Sequence, residues 1–221
     1  MTNIALPHER LPRIAVLGAG HVGPIIARIA VEAGYNVSIA TSGAPSEIVL
    51  LTQVLAPGAE PRWATEAVAE ADIVVLAIQL HKFAKLDPSL LAGKLVIDVM
   101  NYWPPVDGVQ ELFEDHRFSS SEIVQRRLVN ATVVKTLNHL GYHQIEEERW
   151  PAGSPERRAL GVAGDDPRAV DAVAAFITRI GYDAVRFDRL SAGRLLEPGG
   201  PVFGLPLRRT EFEQAVRTKA V

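Results

Sequence analysis

The chain contains no cysteine. That absence excludes disulfide staples, thiolate metal sites and thiol nucleophiles together. No apolar run approaches the ~20 residues needed to span a bilayer, and residues 1–10 are too polar for a secretory leader. No membrane partner is therefore expected, and the expected location is cytoplasmic. A lopsided charge is also missing: 23 basic against 26 acidic residues leave a net charge of −3. Nothing in that balance favours nucleic acid or an anionic surface as a partner. What is present is an ordinary globular composition, 48% apolar and 22% charged over 221 residues, enough to bury a sizeable core. The length fits a single domain over 1–221, with its core at 13–197 and tails at 1–11 and 205–221.

Residues 13–23 read Arg-Ile-Ala-Val-Leu-Gly-Ala-Gly-His-Val-Gly. A short apolar run thus leads into glycines at 18, 20 and 23, the G-x-G-x-x-G spacing between an expected strand and an expected helix. Gly18 lets the chain turn off the strand, Gly20 removes a Cβ that would block a pyrophosphate, and Gly23 lets the helix pack close. The amides at the helix start, backed by the macrodipole, suit an anion. Val22, Ile25, Ile26, Ile29 and Ala33 follow at helical spacing. Pro24 falls in the first turn, where its missing amide costs little, and Gly34 stands at the cap position. Asn36 to Ala40 then completes a βαβ unit of about 30 residues. A dinucleotide is the expected ligand, with Gly18, Ala19, Gly20, His21, Val22 and Gly23 as its phosphate loop.

Which dinucleotide depends on the end of the second strand, where NAD sites place a carboxylate for the ribose 2′-hydroxyl. This chain has Thr41, Ser42 and Gly43 there. The missing carboxylate removes a like-charge penalty of roughly 1–4 kcal/mol against a 2′-phosphate, and the hydroxyls can donate to one. NADP(H) is expected over NAD(H). No arginine stands in the loop, and Arg62 is the nearest candidate.

Further along, Pro45 to Leu55 is expected as a helix burying Ile48, Leu51 and Leu55, ended by Pro57-Gly58. Thr65 to Ala71 is a short helix. Asp72 to Ile78 and Lys94 to Met100 are buried strands. The stretch 101–118 is long and structureless by pattern, as functional lids and disordered segments are. Ser119 and Glu122 make a capping box for a helix to Leu128, and Thr132 to Lys135 is a strand. Leu160 to Ala163 begins a later unit. Asp166-Pro167 caps a helix striped by Val170, Val173, Ala174, Ile177 and Ile180, and Asp183 to Phe187 is the last strand. Arg189 to Leu196 is a short helix, and a weak helical pattern over Phe212 to Val216 reads as a tail or an oligomer contact. Strands alternating with helices predict an α/β fold: a Rossmann-type, doubly wound, mostly parallel sheet with extra C-terminal strand and helix units.

These motifs in order resemble the NADPH-dependent reductases of the deazaflavin coenzyme F420. The resemblance rests on Ile14–Gly23, Ala71–Ala77, Val133–Asn138, Val162–Asp166 and Ala192–Glu197. It implies hydride transfer between the nicotinamide and a deazaflavin (coenzyme F420) or flavin-like acceptor stacked on it, with the protein aligning two rings and excluding water. Position by position, it places Ile78, Gln79, Leu80 and His81 beneath the nicotinamide, with Ala77 before them among the cofactor-binding residues. Met100 and Asn101 follow the next strand, and Thr136, Asn138 and His139 lie near the acceptor. On this basis His81 and Asn138 are the expected catalytic residues, His81 as a proton donor. Two positions depart from the family pattern: Thr41-Ser42-Gly43 replaces a serine followed by arginine, and Gln79 stands where proline is common.

The remaining polar residues have plainer readings. His139 and His143 are four apart, but Gly141 between them breaks the helix that would align them, so no metal site is expected. Asp166 is a helix cap and Glu197 is structural; Lys135 at a strand end is expected in solvent, with contact to a phosphate as the alternative. Trp103-Pro104-Pro105 is either a stacking lid or a subunit contact, and a homodimer is among the expectations. The competing function is a non-catalytic module that senses NADP(H), which would need no second chamber beside the nicotinamide. A hydroxyacid or imine reductase is disfavoured because too little chain remains for a helical bundle.

Overall fold

The computed structural model describes residues 10–219. Its elements in chain order are β1 (Ile14–Leu17), α1 (Val22–Glu32), β2 (Val37–Ala40), α2 (Val49–Leu55), β3 (Glu60–Pro61), α3 (Ala64–Glu70), β4 (Ile73–Leu76) and α4 (Leu80–Phe83). They continue with β5 (Leu95–Asp98), α5 (Pro104–Asp107), α6 (Ser120–Arg127), β6 (Thr132–Lys135), α7 (Gln144–Glu147), β7 (Ala159–Gly164), α8 (Pro167–Arg179), β8 (Asp183–Phe187) and α9 (Arg209–Lys219). The eight strands form one sheet in the order β3-β2-β1-β4-β5-β6-β7-β8. All neighbours pair in parallel except β6 with β7, which are antiparallel. This is the mostly parallel, doubly wound α/β architecture expected.

The sheet is apolar on both faces because helices cover both. Ile14, Val16, Ile73, Val75, Leu95 and Ile97 point to the side packed by α1 and α8. Their neighbours Ala15, Leu17, Val74, Leu76 and Val96 point to the side packed by α3, α4 and α6. The alternation follows from the strand's two-residue period. Beyond β6, the outer face of β7 and β8 carries a smaller cluster of Ala159, Val185, Leu196, Val202 and Phe212.

Local signals place several boundaries. Ser119 and Glu122 form the reciprocal capping box of α6. The Asp166 carboxylate accepts from the amides of Arg168 and Ala169 at the start of α8. Glu197 serves α6 as well, accepting at 2.8 Å from both the amide and the hydroxyl of Ser120.

Other expectations need correction. The single helix over Pro45 to Leu55 is a 3-10 turn, Pro45–Glu47, followed by α2. Its buried stripe is Ile48, Thr52 and Ala56, leaving Leu55 exposed. Thr52 fits the core because its hydroxyl donates to the Ile48 carbonyl at 2.7 Å. The stretch 101–118 is not structureless: it holds α5 and a 3-10 turn at Glu111–Phe113, with Phe113 packed on Phe83 and Tyr102. Within 205–221, the weak helical pattern over Phe212 to Val216 lies inside the longer α9, whose Phe212 is fully buried. Residues 1–9 of the expected tail at 1–11 lie outside the described residues, while Arg10 pairs with Asp72 at 2.9 Å. Among the described residues, no helix is long and apolar enough to cross a membrane.

Candidate functional site

A cavity of about 940 Å³ opens along the carboxyl ends of β1, β2, β4 and β5, where open α/β sheets bind ligands. The phosphate loop forms one wall. Gly18 has a φ of +120°, and a Cβ there would stand 2.2 Å from the Ala77 carbonyl oxygen. A Cβ on Gly23 would stand 1.9 Å from the Gly18 carbonyl oxygen. These two glycines permit the close packing of turn, helix and neighbouring strand. Gly20 differs: a Cβ there would meet nothing within 4 Å, and Gly20 lines the cavity. Its missing side chain leaves room for a ligand, not for protein.

The start of α1 is electrostatically prepared in the same direction. No side chain caps it, and its first turn holds no acidic residue. Its leading amides have no intrahelical partners and carry the positive end of the dipole. A diphosphate fits this arrangement.

The expected cofactor residues divide. Gly18, Ala19, Gly20, His21, Val22, Thr41, Ser42, Ala77, Ile78, Gln79, Met100 and Asn101 lie on the cavity wall, whereas Gly23 and Gly43 lie behind it. The Gly43 amide donates to the Thr41 hydroxyl oxygen at 3.2 Å, tightening the turn after β2. Against Gly43 stands the Glu47 carboxylate, with an oxygen 2.3 Å from where a Cβ would be. This acid stands seven residues beyond the end of β2 and is also off the wall. Arg62, the nearest expected cation, is unavailable. It is clamped by Glu60 at 2.9 Å and Glu70 at 2.8 Å.

Of the two expected catalytic residues, neither lines the cavity. His81 is exposed in the single turn of α4. Asn138 is buried and acts from behind: its amide donates to Asn101 Oδ1 at 2.9 Å and to the Leu196 carbonyl at 2.7 Å. Asn101 returns a hydrogen bond to the Asn138 carbonyl at 2.7 Å. The segment around it is held in unusual geometry. Leu137 is buried with φ +62°, and Thr136 Oγ1, Asn138 Oδ1 and both His139 ring nitrogens are buried without partners. Burial pushes His139 down to about 4, with the Lys135 cation acting the same way. The Ala159 backbone partly opposes this, although neither ring nitrogen meets hydrogen-bond geometry. His143 is exposed while His139 is buried, so their spacing does not bring two imidazoles together.

The largest departure is Lys135. Expected in solvent, it is fully buried and paired with Asp98 at 3.3 Å. Asp98 also accepts from the Ser121 hydroxyl at 2.6 Å and from the Met100 amide at 2.9 Å, while the Lys135 ammonium donates to the Met100 carbonyl. A buried pair needs such added hydrogen bonds to offset its desolvation. Here the partners include both backbone polar groups of Met100, a residue of the cavity floor. The pair therefore sets where Met100 and Asn101 stand.

Sequence reasoning also missed Tyr142, Lys82 and Lys85 on the wall. Tyr142 stacks on His21, with ring centroids 5.3 Å apart. It follows a glycine in a polar segment, and no periodic signal marks it. Trp103, read as either a lid or a subunit contact, stands at the cavity and is half exposed.

Comparisons agree with this geometry. Residues 13–102 match the model of the family described as NADP oxidoreductase, coenzyme F420-dependent. No curated protein matches the chain. Among solved structures, the hypothetical protein SMa0349 of Sinorhizobium meliloti is similar over 89% of this chain and 95% of its own, with a TM-score of 0.77 and 25% identity. A protein of Arthrobacter sp. FB24 assigned as an F420-dependent NADP reductase is similar over 83% of this chain and 87% of its own, with a TM-score of 0.68 and 25% identity. An imine reductase from Pseudomonas sp. shares the fold at 18% identity and a TM-score of 0.54, with 82% of this chain matching only 58% of that one. The Rossmann order of the strands and the glycine wall agree with this similarity of residues 13–102 to the coenzyme F420-dependent NADP oxidoreductase family.

Proposed function

We propose that this protein is an NADP(H)-dependent oxidoreductase that moves hydride between the nicotinamide and a deazaflavin or flavin-like acceptor. The observation that carries the reading is the continuity of the cavity. It runs past the phosphate loop and the expected nicotinamide residues Ile78, Gln79, Met100 and Asn101 to an open edge at Trp103 and Tyr142. A module that only sensed the dinucleotide would need no open edge beside the nicotinamide. At about 940 Å³ the cavity is at the upper end of the ~300–1,000 Å³ usual for ligand sites.

When bound, the nicotinamide supplies a hydride. The chain's residues do the rest. Gly18 to Val22 hold the diphosphate through backbone amides, and Thr41 and Ser42 offer hydroxyls to the adenosine ribose and its 2′-phosphate. Met100 and Asn101, fixed by Asp98, Lys135 and Asn138, form the floor on which the reacting rings align. We assign Asn138 a positioning role. His81 stands exposed between the wall residues Leu80 and Lys82, and the proton that hydride addition to a deazaflavin consumes would come from His81 or from solvent. An open, aromatic-edged mouth at Trp103 and Tyr142 suits a flat acceptor.

The test is to mix the protein with NADPH and offer deazaflavin, flavin mononucleotide and a ferric chelate separately, following NADPH absorbance. Oxidation with a deazaflavin or flavin supports the proposal. Tight NADPH binding without oxidation by any acceptor contradicts it and favours the sensor. The family match and the Arthrobacter relative, rather than any feature of the mouth alone, favour the deazaflavin among acceptors.

A further inference from the structure

The loop after β2 lacks the arginine that would answer a 2′-phosphate, and Arg62 is occupied by two carboxylates. The charge must come from elsewhere in the wall. Lys82 and Lys85 both line the cavity, and among the described residues neither side chain makes a hydrogen bond or an ion pair. They are three apart on one helical turn that continues past α4, where the Lys85 amide bonds the Lys82 carbonyl at 3.0 Å. Residues three apart share a face. Phe83 on the other face is buried in the core, while Leu80, also buried, shares the cavity wall with the two lysines.

The topology brings that face to the adenosine end. β3 pairs with β2, and α3, which follows β3, packs against both β2 and the 3-10 turn Pro88–Leu91. Ala64 at the start of α3 and Leu86 and Leu90 after the lysines line the same cavity as Ala40, Thr41 and Ser42. Two acids share the wall with the lysines, each accepting hydrogen bonds from its own loop, and a third stands off it. Asp87 accepts from the Ser89 amide and hydroxyl, Asp107 from the Trp103 amide, and Glu47 stands off the wall against Gly43. Arg127 fixes the turn by donating to the carbonyls of Ala84 and Leu86.

We propose that Lys82 and Lys85 are the residues that select NADP(H) over NAD(H), receiving the 2′-phosphate together with the hydroxyls of Thr41 and Ser42. This rests on the dinucleotide reading above and supplies the cation that reading lacks. An ammonium is a point charge that needs no fixed fork geometry to serve a phosphate, so a flexible lysine pair on a neighbouring element can replace an arginine in the loop.

The test uses isothermal titration of adenosine 2′,5′-bisphosphate and adenosine 5′-monophosphate, with NADPH alongside, into the wild type, Lys82→Gln, Lys85→Gln and the double variant. Each lysine is expected to contribute about tenfold to the preference for the bisphosphate, an effect that shrinks with added salt. The double variant should lose that preference, keep its affinity for the monophosphate and unfold at the wild-type temperature. Replacing both lysines with arginine should restore the preference. A preference that survives in the double variant overturns the assignment, as does an equal loss for both mononucleotides. Wild-type protein that binds NADPH no tighter than the monophosphate would defeat the underlying dinucleotide reading, and the assignment with it.

Discussion

Single residues carry the sharpest chemistry here, and the glycines separate two kinds of it. Gly18→Ala forces a side chain into a left-handed backbone and against the Ala77 carbonyl, 2.2 Å away. It should destabilise the fold by roughly 2 kcal/mol or more. Gly20→Ala meets nothing within 4 Å. It should unfold like the wild type in urea yet bind NADPH about tenfold more weakly, near 1.4 kcal/mol. Equal stability losses in the two variants would contradict this division. His139 gives a pH signature. Its pKa falls from 6.5 to about 4 on burial, so the unfolded chain binds the extra proton between those values. The stabilisation is complete above about pH 6.5 and is lost as pH falls toward 4, a loss on the order of 3 kcal/mol. Urea titrations from pH 7 to pH 4 should show that slope, and His139→Gln should flatten it; an unchanged slope would refute it. The glycine spacing was legible in the sequence because it is local. The burial of His139 and Lys135 was not, because it depends on what α9 and the 3-10 turn at Leu190–Leu196 lay over them.

At the scale of elements, the strands and capped helices were readable from period and cap chemistry alone. Ile73–Leu76, Leu95–Asp98, the capping box of α6 and the Asp166 cap of α8 stand where pattern places them. Two kinds of element escaped, and a third was legible only in part. The two-residue β3 is too short for alternation, and α4, α5 and α7 are single turns without a periodic signal. In α9 the burial rests chiefly on one side chain, Phe212. The link between β5 and β6 was also hidden, since a lysine ending a strand carries no mark of its partner. That link is testable. Lys135→Met leaves Asp98 buried without its cation and should cost about 3–5 kcal/mol in urea unfolding, much of it recovered by pairing with Asp98→Leu. A loss under about 1 kcal/mol in the single variant would show that the pair does not brace the two strands.

For the whole molecule, one parallel Rossmann sheet extended by the antiparallel junction of β6 and β7 places the phosphate loop, the β2 turn and the Met100–Asn101 floor along one crest. β7 and β8 lie on the far side of β6 from the phosphate loop, and the 3-10 turn Leu190–Leu196 after β8 brings Leu196 behind Asn138. The most direct measurement is the backbone amide spectrum of nitrogen-15-labelled protein titrated with NADPH. A diphosphate on the start of α1 predicts that the largest shifts fall on Gly18 to Gly23, with smaller ones at Thr41, Ser42, Ala77 and Ile78. Amides of Gly18 to Gly23 that stay unmoved at saturating NADPH would contradict a dinucleotide on this crest.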